Sequence, residues 1–128
     1  MTPNAADLAP LASRLRRALT ARDLEAFGAL LSDDVSWGDD DHPHKCRNRA
    51  DVLATVSRAL LTGVDGTLIE LASGKKGIFC QYNVSRAPGD LRPGDRSLFH
   101  VYLVRDDHIY LIQSFDDRPS AAKAAGLK

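Results

Sequence analysis

The sequence predicts an α+β domain in which helices come first and a curved antiparallel sheet follows. Between Leu8 and Leu60, apolar residues recur at spacings of three and four, the period of a helix with one buried face. From Thr67 to Phe115, apolar and polar residues alternate in segments separated by short turns, which is typical of β-hairpins. A single sheet of this length has to curl. We therefore expect three N-terminal helices to cover one end of its concave face and to enclose a pocket at the other.

The composition is that of one ordinary globular domain. The chain has 128 residues, of which 44% are hydrophobic and 27% are charged, enough for a core without disulfide or metal staples. Lys plus Arg number 17 and Asp plus Glu number 17, so the formal charge is zero. This balance argues against a nucleic-acid partner. No apolar stretch approaches the ~20 residues that span a bilayer, so no membrane partner is expected.

Three helices are predicted in the first half of the chain. The first carries the apolar stripe Leu8, Leu11, Ala12, Leu15, Ala18 and Leu19. The second is capped by Asp23. Its apolar positions are Leu24, Phe27, Leu30 and Leu31. A short strand is expected over residues 35–37, followed by a polar loop over residues 38–47. The third helix opens at Asn48 and is striped by Val52, Leu53, Val56, Ala59 and Leu60.

Two hairpins are predicted in the second half. Their strands are expected at residues 67–73, 78–85, 96–105 and 108–115, with a long loop over residues 86–95. From Asp116 onward the chain is polar and rich in Ala, and we expect a tail that is ordered only in part. A single domain with its core at about residues 8–115 follows.

The N-terminus predicts a cytoplasmic location. It lacks both the basic segment and the apolar segment of a secretory signal. In that compartment Cys46 and Cys80 are expected to be reduced thiols.

The order of elements and the segments ALTARDLEAFGALLSDDVSWGDD and RNRADVLATV resemble the SnoaL-like proteins. These belong to the nuclear transport factor two superfamily, which also contains ketosteroid isomerase. The resemblance covers about Leu8 to Phe115 and implies a cone-shaped α+β barrel, often dimeric through its sheet. It leaves the chemistry open, because this fold hosts isomerases, cyclases, dehydratases and epoxide hydrolases.

The ketosteroid isomerase pattern can be carried over at three positions. The segment LLSDDVSWGDD places Asp39 where that family keeps its general-base aspartate. The strand SLFHVYLV places His100 where it keeps a protonated aspartate that donates to the oxyanion. The helix segment SRLRRAL places Leu15 where it keeps its oxyanion-hole tyrosine. The resemblance thus implies that the base is retained, but it argues against ketosteroid isomerase activity itself.

Asp39 and His100 each have two interpretations. An aspartate at the mouth of an apolar pocket has a raised pKa and can accept a proton, whereas Asp39 within the run 39–41 can also belong to a solvated acidic loop. His100 lies in an apolar strand and shares its face with Leu98, Tyr102 and Val104. It is either an acid–base partner of Asp39 or a sheet histidine satisfied by a neighbouring side chain.

Two further groups suggest chemistry less strongly. His42, His44 and Cys46 alternate along a loop and can direct three donors toward zinc. Their spacing matches no known finger, however, and a surface loop with an inward-facing cysteine explains it equally. We expect no metal and no cofactor. Cys80 alternates with apolar residues and is expected to be a core thiol, since the sequence shows no base that would activate it.

The remaining candidates are expected to line a ligand pocket. They are Leu15, Trp37, Tyr102, Ile112 and Ser114. Trp37 fits either the core or a stacking surface. Gln81 and Asn83 either face water or contribute amides to the pocket, and their alternation does not decide between these positions.

Two functions are consistent with this pattern. The first is a cofactor-free acid–base enzyme that isomerises, cyclises or dehydrates a small hydrophobic carbonyl compound, with Asp39 as base and His100 at the oxygen. The second is a non-catalytic ligand-binding or dimerisation module of the same fold. A homodimer is expected in either case, because three helices cover only one of two apolar sheet faces.

Overall fold

The computed structural model describes residues 5–38, 46–61, 65–85 and 96–127. Asp39, His42, His44 and the loop at residues 86–95 lie outside the described residues. Four helices and five strands are present in the described ranges. They are α1 (Ala5–Ala21), α2 (Leu24–Ala29), β1 (Leu31–Trp37), α3 (Arg49–Leu61), β2 (Asp65–Ser73), β3 (Ile78–Ser85), β4 (Arg96–Arg105), β5 (His108–Phe115) and α4 (Arg118–Ala125). In these ranges no helix has the length and apolar character needed to cross a membrane.

The strands form one mixed sheet in the order β1-β5-β4-β3-β2. The strand pairs β2–β3, β3–β4 and β4–β5 are antiparallel, as the hairpin pattern predicts. β1 instead pairs parallel with β5, so the prediction of a wholly antiparallel sheet was wrong at this edge. The sheet is open rather than closed into a barrel, with β1 and β2 at its two edges. The α+β class is confirmed.

The boundary between α2 and β1 differs from the prediction. The backbone of α2 ends at Ala29, and Leu31 begins a seven-residue strand. Leu31 pairs with Ile109 of β5, and both side chains are fully buried. Leu30 and Leu31 therefore continue the apolar stripe without continuing the helix, because strand pairing at the sheet edge determines the backbone there.

The larger part of the core lies between one sheet face and helices α1–α3. Leu15 and Val52, from α1 and α3, and Ile78 of β3 are fully buried in this cluster. The positions of Leu15 and Val52 in the helical stripes are those expected for buried faces. This sheet face, which we call the helix-covered face, carries the candidate site.

The C-terminal segment is a helix rather than a partly ordered tail. Asp117 caps α4 by accepting a hydrogen bond from the Ser120 backbone N–H at 2.8 Å, and Gly126 ends it in the left-handed conformation, with φ of 78°. Ala121 and Ala125 are fully buried against Phe79 and Val101. The small side chains that made this segment resemble a tail allow close packing on the sheet.

The position of α4 changes the argument for a homodimer. The homodimer is expected on the ground that the sheet face opposite α1–α3 has no cover. In the structure α4 covers part of it, and Phe79 and Val101 have no exposed surface. Phe99, Leu103 and Phe115 pack around the edge of this second cluster and stay partly exposed.

Candidate functional site

The register of three strands aligns a row of polar side chains on the helix-covered face. His100 of β4 lies opposite Cys80 of β3 on one side and opposite Ser114 of β5 on the other. Residues that face each other in antiparallel pairs project to the same side of a sheet. The next row contains Tyr102 opposite Ile112, and Trp37 of β1 also pairs with Ile112.

Burial of the His100 imidazole lowers its pKa from 6.5 to about 4. Desolvation is the cause, because the charged form of a buried base loses its water. The ring is surrounded by two others. The Trp37 ring centroid lies 5.4 Å away at an interplanar angle of 80°, and the Tyr102 centroid lies 6.3 Å away at 88°. His100 is therefore a neutral imidazole at pH 7, held edge-to-face between two aromatic rings.

Trp37 lies beside the row at its Ser114 end. Its indole Nε1 donates a hydrogen bond to Ser114 Oγ at 3.0 Å. Its backbone N–H and C=O pair with Cys46 at 2.9 Å in both directions, forming an isolated bridge just before α3. The indole is therefore fixed at its polar end and along its backbone, while its side chain stays partly exposed.

Tyr102 and Cys80 form a buried polar pair. Burial raises the pKa of the Cys80 thiol to about 12, although its hydrogen bond to Tyr102 and the nearby Arg16 guanidinium act in the opposite direction. Burial also raises the pKa of the Tyr102 phenol well above its usual value, and the hydrogen bond to Cys80 adds to this. Both groups stay protonated at neutral pH. A protonated, buried thiol is a poor nucleophile, which agrees with a structural role for Cys80.

The apolar candidates lie deeper. Leu15 has no exposed surface, and Ile112 is 2% exposed. Both belong to the cluster between α1–α3 and the sheet. Ile112 lies opposite Tyr102 in the row next to that of His100 and Ser114.

The loop candidates are only partly described. Cys46 is buried, and its Sγ lies 3.3 Å from Thr55 Oγ1. No group of three His, Cys, Asp or Glu side chains with metal-binding geometry occurs within the described ranges. Gln81 pairs with Phe99, so it and Asn83 lie on the face that α4 covers, opposite the candidate site.

Sequence reasoning missed two contacts. The Trp37–Ser114 hydrogen bond depends on the parallel pairing of β1 with β5, which no local pattern indicates. The Cys80–Tyr102 pair depends on the β3–β4 register. Strand alternation does indicate that His100 and Tyr102 share a face, but it does not say which residues of other strands lie beside them.

Solved structures with this fold come from several bacteria. A protein from Kribbella flavida, provisionally named a ketosteroid isomerase, is 21% identical and has a TM-score of 0.66, with 85% of this chain and 76% of that one covered. A provisionally named polyketide cyclase from Xanthomonas campestris is 15% identical, with a TM-score of 0.69 and coverage of 97% and 100%. An LEH-like epoxide hydrolase from M. tuberculosis is 17% identical, with a TM-score of 0.64 and coverage of 98% and 89%. At these identities the likeness shows the fold alone.

The family is identified by sequence. No curated protein matches the chain. The model of the SnoaL-like domain, however, matches residues 12–112, a range that begins in α1 and ends in β5. This range contains His100, Tyr102 and Ile112 of the candidate site, and Ser114 follows two positions later. The chain therefore belongs to the SnoaL-like domain family.

Proposed function

We propose that the protein is a cofactor-independent acid–base enzyme that acts on a small hydrophobic carbonyl compound. The proposed reaction is an isomerisation, cyclisation or dehydration that begins with proton abstraction beside the carbonyl. The observation that carries the proposal is the position and state of His100. It is a neutral, partly buried imidazole beside the Trp37 and Tyr102 rings, and its ring nitrogens make no hydrogen bond to any residue that the structure describes.

His100 is proposed to stabilise the substrate oxygen. Because the pKa of its protonated form is lowered to about 4, His100 carries no imidazolium proton at neutral pH, so the neutral ring donates a hydrogen bond from its N–H rather than transferring a proton. Such a donor is worth more in an apolar site than in water, because the charge that develops on the oxygen finds no competing solvent there. The Tyr102 phenol is hydrogen-bonded to Cys80, and its ring makes an edge-to-face contact with the imidazole.

Asp39 is proposed to be the base. It follows the last residue of β1 by two positions, and the ketosteroid isomerase pattern keeps its base at the corresponding place. In an isomerisation the carboxylate takes a proton from the carbon next to the carbonyl and returns it to a more distant carbon. The double bond moves, and no other reactant is consumed.

The binding module remains the alternative. It is supported by the absence of a phenol at Leu15, which is fully buried in the core. An oxyanion site with a single donor is weaker than one with two. A module of this kind would bind the same neutral ligand without converting it.

An isomerase assay with 3-cyclohexen-1-one separates the two functions. The product, 2-cyclohexen-1-one, has a conjugated absorbance, and proton exchange at the carbon beside the carbonyl is visible by NMR in D₂O. We expect wild type to accelerate both processes over buffer. Removing one acid–base group of this kind reduces rates by about 10²–10⁴-fold, so Asp39→Asn and His100→Gln should each lose most of the activity.

Matched controls are available for both residues. Asp40→Asn removes a neighbouring carboxylate, and His108→Gln removes an exposed histidine at the start of β5. Neither is expected to change the rate by more than about twofold. If wild type binds the ketone but neither exchanges its protons nor isomerises it, the enzyme proposal fails and the binding module is favoured.

A further inference from the structure

The orientation of the His100 ring is determined in an unusual way. In most functional histidines one ring nitrogen is held by a carboxylate or a backbone carbonyl, and that hydrogen bond sets the tautomer and the plane of the ring. Among the described residues His100 has no such partner, and its contacts are the edges and faces of two aromatic rings. Within the described part of the chain, the aromatic contacts are therefore what orients this imidazole.

Of the two neighbouring rings, the Trp37 indole is the more exposed one, and it is held at two places. Its Nε1 donates to Ser114 Oγ at 3.0 Å, and its backbone is paired to Ile112 on one side and to Cys46 on the other. An indole held at both its backbone and its N–H has little rotational freedom. It therefore acts as a rigid wall beside the imidazole, at 5.4 Å between centroids.

Ser114 is placed to couple the two rings. It lies directly opposite His100 across the β4–β5 pair, and it accepts the hydrogen bond from Trp37 two positions beyond the Trp37–Ile112 pair. Edge-to-face aromatic contacts contribute about 0.5–1.5 kcal/mol each, which is enough to favour one ring orientation when no hydrogen bond competes. With respect to the residues that the structure describes, both imidazole nitrogens then stay available for a ligand.

We propose that Trp37, held by Ser114, is the positioning residue for the His100 imidazole, in place of the usual hydrogen-bonded partner. Ser114 acts through Trp37, and neither side chain needs to touch the reacting atoms. The expected effect of Ser114 and Trp37 on the reaction rate rests on the proposed function, whereas their effect on the orientation of the His100 ring does not. The positioning proposal and the proposed function can therefore fail separately.

Ser114→Ala tests the positioning in the protein without any ligand. Trp37 is the only tryptophan of the chain, so its indole N–H gives a single NMR signal. We expect that signal to move and to exchange faster with water. We also expect the His100 ring protons, assigned with the His100→Gln variant, to lose their cross-relaxation with the indole and to shift toward the values of the exposed His108.

Three further variants test whether the hydrogen bond between Trp37 and Ser114 is responsible for the orientation of the His100 ring. Ser114→Thr keeps the hydroxyl on a β-branched residue that suits a strand, and it should restore the wild-type His100 signals. Ser36→Ala, next to Trp37 on the opposite side of β1, removes a hydroxyl without touching the pair and should change nothing. Trp37→Phe keeps a ring without the N–H and is expected to reproduce the His100 shifts of Ser114→Ala.

The kinetic readout uses 3-cyclohexen-1-one. Misplacing a catalytic group by a fraction of an ångström lowers the turnover more than the binding. Ser114→Ala is therefore expected to reduce kcat by roughly tenfold with little change in KM, and Ser114→Thr to recover it. If the His100 ring signals of Ser114→Ala are those of wild type, the positioning proposal is overturned. If they change as expected while wild type has no activity, the positioning holds and the proposed reaction fails.

Discussion

The surroundings of the His100 side chain determine both its charge and its orientation. Desolvation keeps it neutral, and two rings limit its rotation. The sequence predicts its face, because alternation along β4 separates His100 and Tyr102 from Phe99 and Val101. It does not predict Ser114 and Trp37 as neighbours, since cross-strand register is a property of the assembled sheet.

The lowered pKa of His100 predicts a loss of stability in acid. Between pH 6.5 and about 4 the unfolded chain binds a proton at this residue and the folded chain does not. The free energy of unfolding therefore falls as the pH drops through this window, by up to roughly 3 kcal/mol at its lower end. Urea unfolding at pH 7, 5.5 and 4.5 measures this. The part of the loss due to His100 should vanish in His100→Gln.

His108→Gln is the control for this measurement. His108 is exposed, and its Nδ1 lies 2.9 Å from the Asp106 carbonyl oxygen. Its removal should leave the acid sensitivity of wild type in place. Equal pH profiles for wild type and His100→Gln would mean that His100 is solvated in the folded protein.

Among the elements, α4 was the one that sequence patterns failed to predict. Its buried side chains are Ala121 and Ala125, so it carries no large apolar stripe of the kind that identifies α1. Helix α4 is instead held on the sheet by contacts that form only in the folded protein. Arg118 forms two-point hydrogen bonds with Glu70 at 2.9–3.2 Å and lies over the Phe79 ring.

The turn between β2 and β3 forms hydrogen bonds with the C-terminal end of α4. The backbone N–H groups of Lys76 and Gly77 donate to the Ala125 carbonyl at 2.9 and 3.1 Å, satisfying an oxygen that the helix end leaves free. A Cβ on Gly74 would lie 2.2 Å from the same oxygen. Gly74→Ala is therefore expected to destabilise the protein by about 1–3 kcal/mol and to speed amide exchange at Lys76 and Gly77.

Gly28→Ala is the matched control for this substitution. A Cβ there would meet only the Leu53 side chain, at 3.1 Å, and a flexible side chain can move. Alanine also favours the helical backbone of α2 by up to ~1 kcal/mol over glycine. Chemical unfolding should show Gly28→Ala near wild type or above it. Similar losses for both variants would mean that the turn does not secure α4.

The turn between β4 and β5 places two aspartates in a backbone conformation that favours glycine. Asp106 and Asp107 both have positive φ, 54° and 62°, as a two-residue turn of type I′ requires. Glycine adopts this conformation without strain at the second position. Asp107→Gly should raise the free energy of unfolding by roughly 0.5–1 kcal/mol. Asp116→Gly, outside the turn, should lower it slightly, and a gain there equal to that of Asp107→Gly would contradict the argument.

At the scale of the whole molecule, the sequence predicts the α+β class and the two antiparallel hairpins because both depend on local periodicity. The strands over residues 78–85, 96–105 and 108–115 agree with the structure at both ends. The parallel β1 edge and the α4 cover could not be predicted in this way. Each depends on which surface remains free after the other elements have packed.

The homodimer stays a prediction, and α4 restricts where its interface can lie. Phe79 and Val101 are sealed beneath α4, so a second copy can reach only the partly exposed edge of that cluster. Leu103 belongs to this edge. Light scattering at micromolar concentration should give twice the chain mass of 13.9 kDa for wild type, and Leu103→Glu should halve it, because a charge in an apolar contact is costly to desolvate.

Ile69→Glu provides the comparison for Leu103→Glu. Ile69 is a large apolar residue that is 53% exposed on the edge strand β2, away from the proposed interface. Replacing it adds the same charge and should leave the mass unchanged. A wild-type mass of one chain would instead show that α4 already supplies the cover that the apolar face needs. The dimer would then be unnecessary, because the eight-residue helix α4 covers within one chain the apolar sheet face that a second copy was expected to cover.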